Sequence, residues 1–151
     1  MLEGEVKGLL ELQRKKEQIV ADMRGGEFLN AMRDATLWVQ RGAKKLAPVD
    51  TGQLRNSIVP EIRTHEKTVE GAVGTNKKHG PYMELGTRPH WPPIKALEVW
   101  ARRHHTSAYV VARAIARRGI KARRFLQQGF EQNQDRIKRH LDGAVGRIVT
   151  K

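Results

Sequence analysis

Cysteine is absent from all 151 residues. That removes disulfides, thiolate nucleophiles and Cys-ligated zinc together, and it leaves the redox compartment unreadable. Aromatics are scarce at 5%, so no row of Phe or Tyr offers a stacking platform for unpaired bases. No apolar run approaches the roughly 20 residues of a membrane span. The acidic, polar start Met1-Leu2-Glu3-Gly4-Glu5 is not that of a signal peptide, and no membrane partner is expected. Acidic residues run short in one place. Residues 95–151 hold 14 Lys or Arg against 4 Asp or Glu, whereas residues 1–94 hold 15 against 12, so the net charge of +13 sits almost wholly in the last third.

Such a patch attracts polyanions: nucleic acid, an acidic membrane surface or the acidic face of a partner protein. Without stacking aromatics, contact with nucleic acid would be made to phosphates and carry no sequence information. The length fits one domain, residues 1–151.

Periodicity lays out the elements. Leu2 to Met23 reads as a helix, with Val6, Leu9, Leu10, Leu12, Ile19 and Val20 broadly on one side, and Gly25-Gly26 breaks it. Glu27 to Ala47 is the best-patterned segment: Phe28, Leu29, Met32, Ala35, Val39, Ala43 and Leu46 recur at spacings of three and four, and Pro48 ends the helix. Trp38 lies beside that stripe and is expected in the core. Asp50 or Thr51 is placed to cap one short turn through Leu54. Ser57–Arg63 and Lys67–Thr75 alternate in the strand manner around the turn Thr64-His65-Glu66. Tyr82–Leu85 fits a third strand or a short helix. Thr87–Pro93 holds three of the six prolines and reads as irregular. Helices follow over Ile94–His104, from a Thr106 or Ser107 cap to Arg118, and over Phe125–Ile148, the last with interruptions expected at Gly129, Gly143 and Gly146. The order predicts an α+β fold, a small antiparallel sheet packed against long amphipathic helices, with helical N- and C-termini. The expected regions are an N-terminal helix over 1–24, a core helix over 27–47, a β region over 57–86 and a basic helical region over 94–148.

No catalytic constellation emerges. His104 and His105 are adjacent, so on a regular helix they point about 100° apart and cannot share one ion. His65, His79, His90 and His140 are scattered. A single Asp50-Thr51-Gly52 lacks the second carboxylate an aspartic protease needs. Gly71–Asn76 lacks the Gly-Lys-Ser/Thr of a phosphate loop, and neither Ser57 nor Ser107 sits in a nucleophile elbow. The expectation is no enzyme, no cofactor and no metal. Trp91, in Pro89-His90-Trp91-Pro92-Pro93, is either core or an exposed anchor for a partner's pocket.

Four separated blocks coincide with one pattern. They are Ala47-Pro48-Val49-Asp50-Thr51-Gly52-Gln53-Leu54-Arg55-Asn56-Ser57-Ile58; Val73-Gly74-Thr75-Asn76; Pro81-Tyr82-Met83-Glu84-Leu85-Gly86-Thr87; and Gly119-Ile120-Lys121-Ala122-Arg123-Arg124-Phe125-Leu126. In order and rough spacing this resembles the tail-completion or head–tail joining proteins of long-tailed bacteriophages, the family named after gene product ten of a lambda-like phage. The resemblance covers about residues 28–135. Residues 92–101 and 108–119 resemble a common insertion, and the first helix lies outside the blocks. That family usually has Pro before the late Phe; Arg124 here predicts a looser turn.

The resemblance implies a structural virion protein at the neck or head-proximal end of the tail, made in the bacterial host cytoplasm. It implies a homo-oligomeric ring around the DNA channel, six copies being favoured by tail symmetry. Head-connector and tail-terminator or tail-tube proteins would be its neighbours, and packaged double-stranded DNA a further, non-specific contact. The family-motif residues on this chain are Pro48, Asp50, Thr51, Gly52, Leu54, Gly74, Thr75, Tyr82, Glu84, Gly86, Thr87, Gly119 and Phe125. The expected partner or DNA contacts are Arg113, Arg117, Arg118, Lys121, Arg123, Arg124 and Trp91. The alternative is a stand-alone basic protein that binds nucleic acid through phosphates, whose affinity would fall by about one log unit per log of salt for each phosphate neutralised.

Overall fold

The computed structural model describes the backbone of residues 2–66 and 68–150, and the side chains of that span apart from residues 2–7, 23 and 24. The elements in order are α1 (Leu2–Arg24), α2 (Gly26–Leu46), α3 (Gln53–Asn56), β1 (Ile58–Thr64), β2 (Val69–Thr75), α4 (Gly80–Leu85), α5 (Ile94–Arg103), α6 (Ala108–Arg118), α7 (Phe125–Glu131) and α8 (Gln134–Val149). The architecture is α+β, with one small antiparallel sheet and helical ends, as the pattern predicts.

The central helix is α2. Phe28, Ala31, Ala35, Thr36, Val39 and Ala43 are buried, a stripe of threes and fours that packs on the sheet, α7 and α8. Strands β1 and β2 pair with Ile58 opposite Thr75 and Thr64 opposite Val69. Gly71 lies over α2, where a Cβ would come within 2.6 Å of Thr36 Cγ2. Gln40 Nε2 donates to the Ile58 carbonyl at 2.8 Å and ties helix to sheet.

Two apolar clusters flank α2. One joins Ala43, Ala47, Leu54, Ile58 and Phe125, with Val73, Met83 and Leu126 against it. The other joins Phe28, Ala31, Ala144 and Ile148, with Ile19, Met32, Val69 and Leu141.

Of the two readings of Tyr82–Leu85, strand or short helix, the structure takes the helix, and the sheet has two strands among the described residues. Several other expectations need correction. The short turn after Pro48 begins at Gly52 in the left-handed region, φ 78°, with no side-chain cap. The C-terminal helix breaks at Gln132–Asn133, not at its glycines. Gly129 instead lets α7 approach α2, with Ala43 N only 2.6 Å from where a Cβ would sit. Asn133 Nδ2 donates to the Gly129 carbonyl at 2.8 Å across the break. Trp38 is half-buried, with the Arg136 guanidinium 3.7 Å above its ring and His140 edge-on at 4.9 Å. On α1, Leu9, Leu10 and Leu12 are exposed rather than packed.

Candidate functional site

The first motif block turns the chain out of α2. Ala47 precedes Pro48 and is extended, φ −61° and ψ 134°, as the proline ring requires of its predecessor. Leu54 then drops into the core at 6% exposure. Ser57 Oγ donates to the Leu54 carbonyl at 2.7 Å and lies 2.6 Å from Thr75 Oγ1. Because the Ser57 proton is committed to that carbonyl, Thr75 is the donor of the pair. Thr75 Oγ1 also accepts from Lys77 N at 3.1 Å. The second block is thereby fastened to the first. Thr51 Oγ1 accepts weakly from Gln53 N at 3.5 Å. Nothing in the structure explains why Gly74 is glycine, since a Cβ there would meet open space. Tyr82 is exposed and makes no structural contribution of this kind.

The third and fourth blocks close on each other. Glu84 is half-buried, and its carboxylate accepts from Leu126 N at 2.8 Å and Gln127 N at 3.0 Å, the free amides that open α7. The main chain repeats the contact: Arg123 N donates to the Met83 carbonyl and Arg124 N to that of Glu84. Thr87 N donates to the Ile120 carbonyl at 2.9 Å, and Ile120 N returns a bond to Thr87 Oγ1 at 3.0 Å. This crossing needs two glycines. Gly86 and Gly119 take φ of 72° and 70° with extended ψ, a region open essentially to glycine alone. A Cβ on Gly86 would also approach the Ile120 carbonyl oxygen to 2.5 Å. Phe125 follows the crossing and is fully buried. Arg124 takes the left-handed conformation, φ 49°, which a proline ring fixed near −65° cannot adopt. The turn at Arg124 is therefore different from the expected proline turn, and its two amide bonds to α4 make it tight rather than loose.

Between Thr87 and Ile120 the chain runs out as a helical hairpin, α5 against α6. Ala101 and Ala112 are buried within it. Ser107 Oγ caps α6 by accepting from Tyr109 N, and His105 makes the turn at φ 52°. The hairpin is held to the first motif block by Asp50, whose two carboxylate oxygens meet Arg103 Nη2 at 2.5 Å and His104 Nε2 at 3.1 Å. The adjacent histidines thus mark a helix end, with His104 within hydrogen-bond distance of Asp50. Sequence reasoning missed this tie because its members lie 53 and 54 residues apart and no local pattern links them.

Residues 99–130 contain eight Lys or Arg and no Asp or Glu. Arg113, Arg117, Arg118, Lys121, Arg123 and Arg124 are all exposed, and none is within ion-pair distance of a carboxylate among the described residues. They divide by helical position. Arg113 and Arg117 share one face of α6, one turn apart. Arg118 and Lys121 instead border an open groove of about 440 Å³ floored by Val111, Ala114 and Ile115. Trp91 is 53% exposed and packs edge-on against Tyr109 at 5.7 Å, while its neighbour Pro92 is buried. Among the described residues no three His, Asp or Glu side chains are grouped to hold a metal ion, and no helix is long and apolar enough to cross a membrane.

No curated protein matches the chain, and no solved structure does. A family model matches residues 11–86, from α1 through the Gly86 that ends α4, about half of the sequence. That stretch holds the first two motif blocks and the third as far as Gly86, and the fourth is bonded to the third through Glu84 and Thr87. The chain belongs to the HK97-gp10-like family of bacteriophage tail components.

Proposed function

We propose that this tail component completes the tail at its head-proximal end and joins it to the head, as a homo-oligomeric ring around the DNA channel. Six copies match the symmetry of the tail. The observation that carries the reading is the family match together with the continuation of the motif beyond it. Glu84, Gly86 and Thr87 on one side and Gly119 and Phe125 on the other form one clasp. The surface chemistry supports the same reading. The exposed Arg113, Arg117 and Arg123 side chains give this part of the chain a cationic surface, with no carboxylate within ion-pair distance of them among the described residues. Such a face suits the phosphates of DNA in a channel, or the acidic rim of a neighbouring head-connector, tail-terminator or tail-tube ring. The protein then resides in the virion neck after synthesis in the host cytoplasm. Its role is structural, with no catalytic step.

Complementation of a phage lacking this gene tests the reading. Arg113→Glu, Arg117→Glu and Arg123→Glu together keep the fold, because all three side chains are exposed. The triple variant is expected to leave full heads and finished tails unjoined in the lysate. Normal yields of infectious particles would overturn the proposal.

A further inference from the structure

The two edges of the sheet differ. His65 N donates to the Thr68 carbonyl at 2.8 Å, in register with the strand pairs that run from Thr64 opposite Val69 to Ile58 opposite Thr75. An antiparallel ladder alternates. Arg63 with Glu70, Glu61 with Ala72 and Val59 with Gly74 therefore exchange main-chain bonds, and the residues between them point their N–H and C=O groups away from the partner strand. On β1 those outward residues include Pro60, which has no N–H to offer. They also include Ile58, whose outward carbonyl accepts from Gln40 Nε2 at 2.8 Å, a second mark of the same phase. The β1 edge is closed by these two devices.

The β2 edge has neither. Its outward residues are Val69, Gly71, Val73 and Thr75, and the strand holds no proline and no cation. Outside the ladder, the main chain of Val69, Gly71 and Val73 has no main-chain partner among the described residues. Gly71 is exposed although the position of its absent side chain faces Thr36 of α2, so what it exposes is main chain. A two-stranded sheet is marginal alone, and an unblocked edge is a template for a further strand.

We propose that β2 of one copy pairs antiparallel with β2 of a second copy, about a two-fold axis at Ala72, to give one four-stranded sheet. The occupant follows from the edges. A neighbour's β1 is closed, so the edge that every copy leaves open is β2 itself. In the register centred on Ala72 all seven residues of the strand overlap, with Gly71 opposite the second copy's Val73 and Val69 opposite its Thr75. Glu70, the one charge in the strand, comes opposite Gly74 rather than another glutamate, so no like charges meet. A two-fold contact closes at two copies, whereas copies that all face one way around a ring meet through unlike patches. The pairing therefore belongs to the chain before assembly, where it keeps the edge from templating aggregates. It does not depend on the ring reading above.

The absence of cysteine makes the test direct. Ala72 is exposed on the face away from α2. At the axis it forms a pair without main-chain bonds, whose Cα atoms lie about 4.5 Å apart, within disulfide reach. Glu70 is exposed on the same face, but roughly 14 Å along the strands would separate it from its own counterpart. Under mild oxidation the full chain carrying Ala72→Cys is expected to form a disulfide dimer at about tenfold the yield of Glu70→Cys, since a formed contact raises the effective concentration of the thiols. Equal yields would overturn the pairing, and a mixed Ala72→Cys/Glu70→Cys dimer in excess of the Ala72→Cys dimer would overturn the register. Ala72→Lys sets like charges opposite each other at the axis and should sediment as a monomer at concentrations where wild type is paired, while mixing it with Ala72→Glu should bring the dimer back. An Ala72→Lys variant that stays paired would refute the contact. The ring reading fails or stands separately: monomeric wild type that still joins heads to tails refutes only the strand pairing. A proven Ala72→Cys link, with normal particle yields from the Arg113→Glu/Arg117→Glu/Arg123→Glu variant, upholds the pairing and refutes the joining role.

Discussion

Replacing Glu84 tests the clasp at its one carboxylate. In Glu84→Ala two backbone amides, Leu126 N and Gln127 N, lose a carboxylate acceptor at 2.8 and 3.0 Å. A bond to a charged group contributes about 1.5–3 kcal/mol, and a helix N-terminal cap about 0.5–2 kcal/mol. Gln127 is exposed, so its released amide finds water and the loss falls toward the low end. The main-chain bonds from Arg123 N and Arg124 N to α4 survive the substitution, so α7 stays docked. The expected cost is about 2 kcal/mol. For a chain of this length that lowers Tm by roughly 4–8 °C. Glu84→Gln keeps one oxygen within reach and loses only the charge at the helix N-terminus, an effect of about 0.3–1 kcal/mol. Urea unfolding followed by far-ultraviolet circular dichroism gives both values, with an unchanged slope showing that the compactness of the two states is preserved. Wild type, Gln and Ala should fall in that order. An alanine variant within about 0.5 kcal/mol of wild type, the range of an ordinary surface change, would show that the carboxylate does not hold α7.

Gly129→Ala adds a Cβ 2.6 Å from Ala43 N, against backbone that has no rotamer to change. The overpacking cost of about 1–3 kcal/mol should exceed the roughly 1 kcal/mol that alanine gains in helix propensity, and a raised denaturation midpoint would refute so close a crossing. Phe125→Ala empties the fully buried centre of the first cluster and should cost about 3–5 kcal/mol, read from the same denaturation curves, with a loss under 1 kcal/mol contradicting its central position. Glu61 is held below its ordinary pKa by a hydrogen bond and then by the charge of Arg63. Because the folded value is depressed, the pair contributes above the unfolded pKa and is lost as pH falls through the folded one. The Glu61 titration midpoint, followed by carboxyl NMR, should therefore rise in Arg63→Gln; an unmoved midpoint would mean that the pair is absent in solution. Excising residues 89–118 and bridging Arg88 to Gly119 with a short glycine turn should leave the α2–sheet–α7 body folded, since Thr87 and Ile120 already meet. Loss of the cooperative transition would show that the hairpin is part of the core.

What the sequence made legible was what repeats locally. The three-and-four spacing of Phe28, Ala35, Val39 and Ala43 identified α2, and alternation about the turn at His65 identified β1 and β2. The motif blocks also located the clasp residues, but not which block closed on which. Local pattern cannot distinguish a glycine that breaks a helix from one that lets another helix approach, so Gly129 was read as an interruption although it marks the α2–α7 crossing. The real break at Asn133 contains neither Gly nor Pro, and only its side-chain bond to the Gly129 carbonyl reveals how the bend is held. The bond between Asp50 and the end of α5 was invisible for the same reason: its stereochemistry is specific, but its partners are joined only by the fold. The leucines of α1 were recognised as an apolar side, and periodicity does not say whether such a side is covered by the same chain or by another.

The clasp explains how one chain combines a family body with a surface of its own. The matched region ends at Gly86, and the hairpin departs at the next residue and returns at Gly119. Its two ends are bonded to each other through Thr87 and Ile120 before either reaches α5 or α6. Insertions are tolerated where the ends of the inserted segment already lie together. The body therefore places few demands on the side chains of residues 88–118, beyond Asp50's hold on Arg103 and His104. Those side chains can specialise for charge and contact: residues 88–118 hold seven Lys or Arg against one acid, Glu98, and leave Trp91, Tyr109 and Val110 exposed. Exchanging this hairpin between tail components should change which neighbour is recognised while the urea midpoint of the body stays within about 0.5 kcal/mol of its starting stability. A hairpin exchange that unfolds the body would show that the clasp does not isolate it.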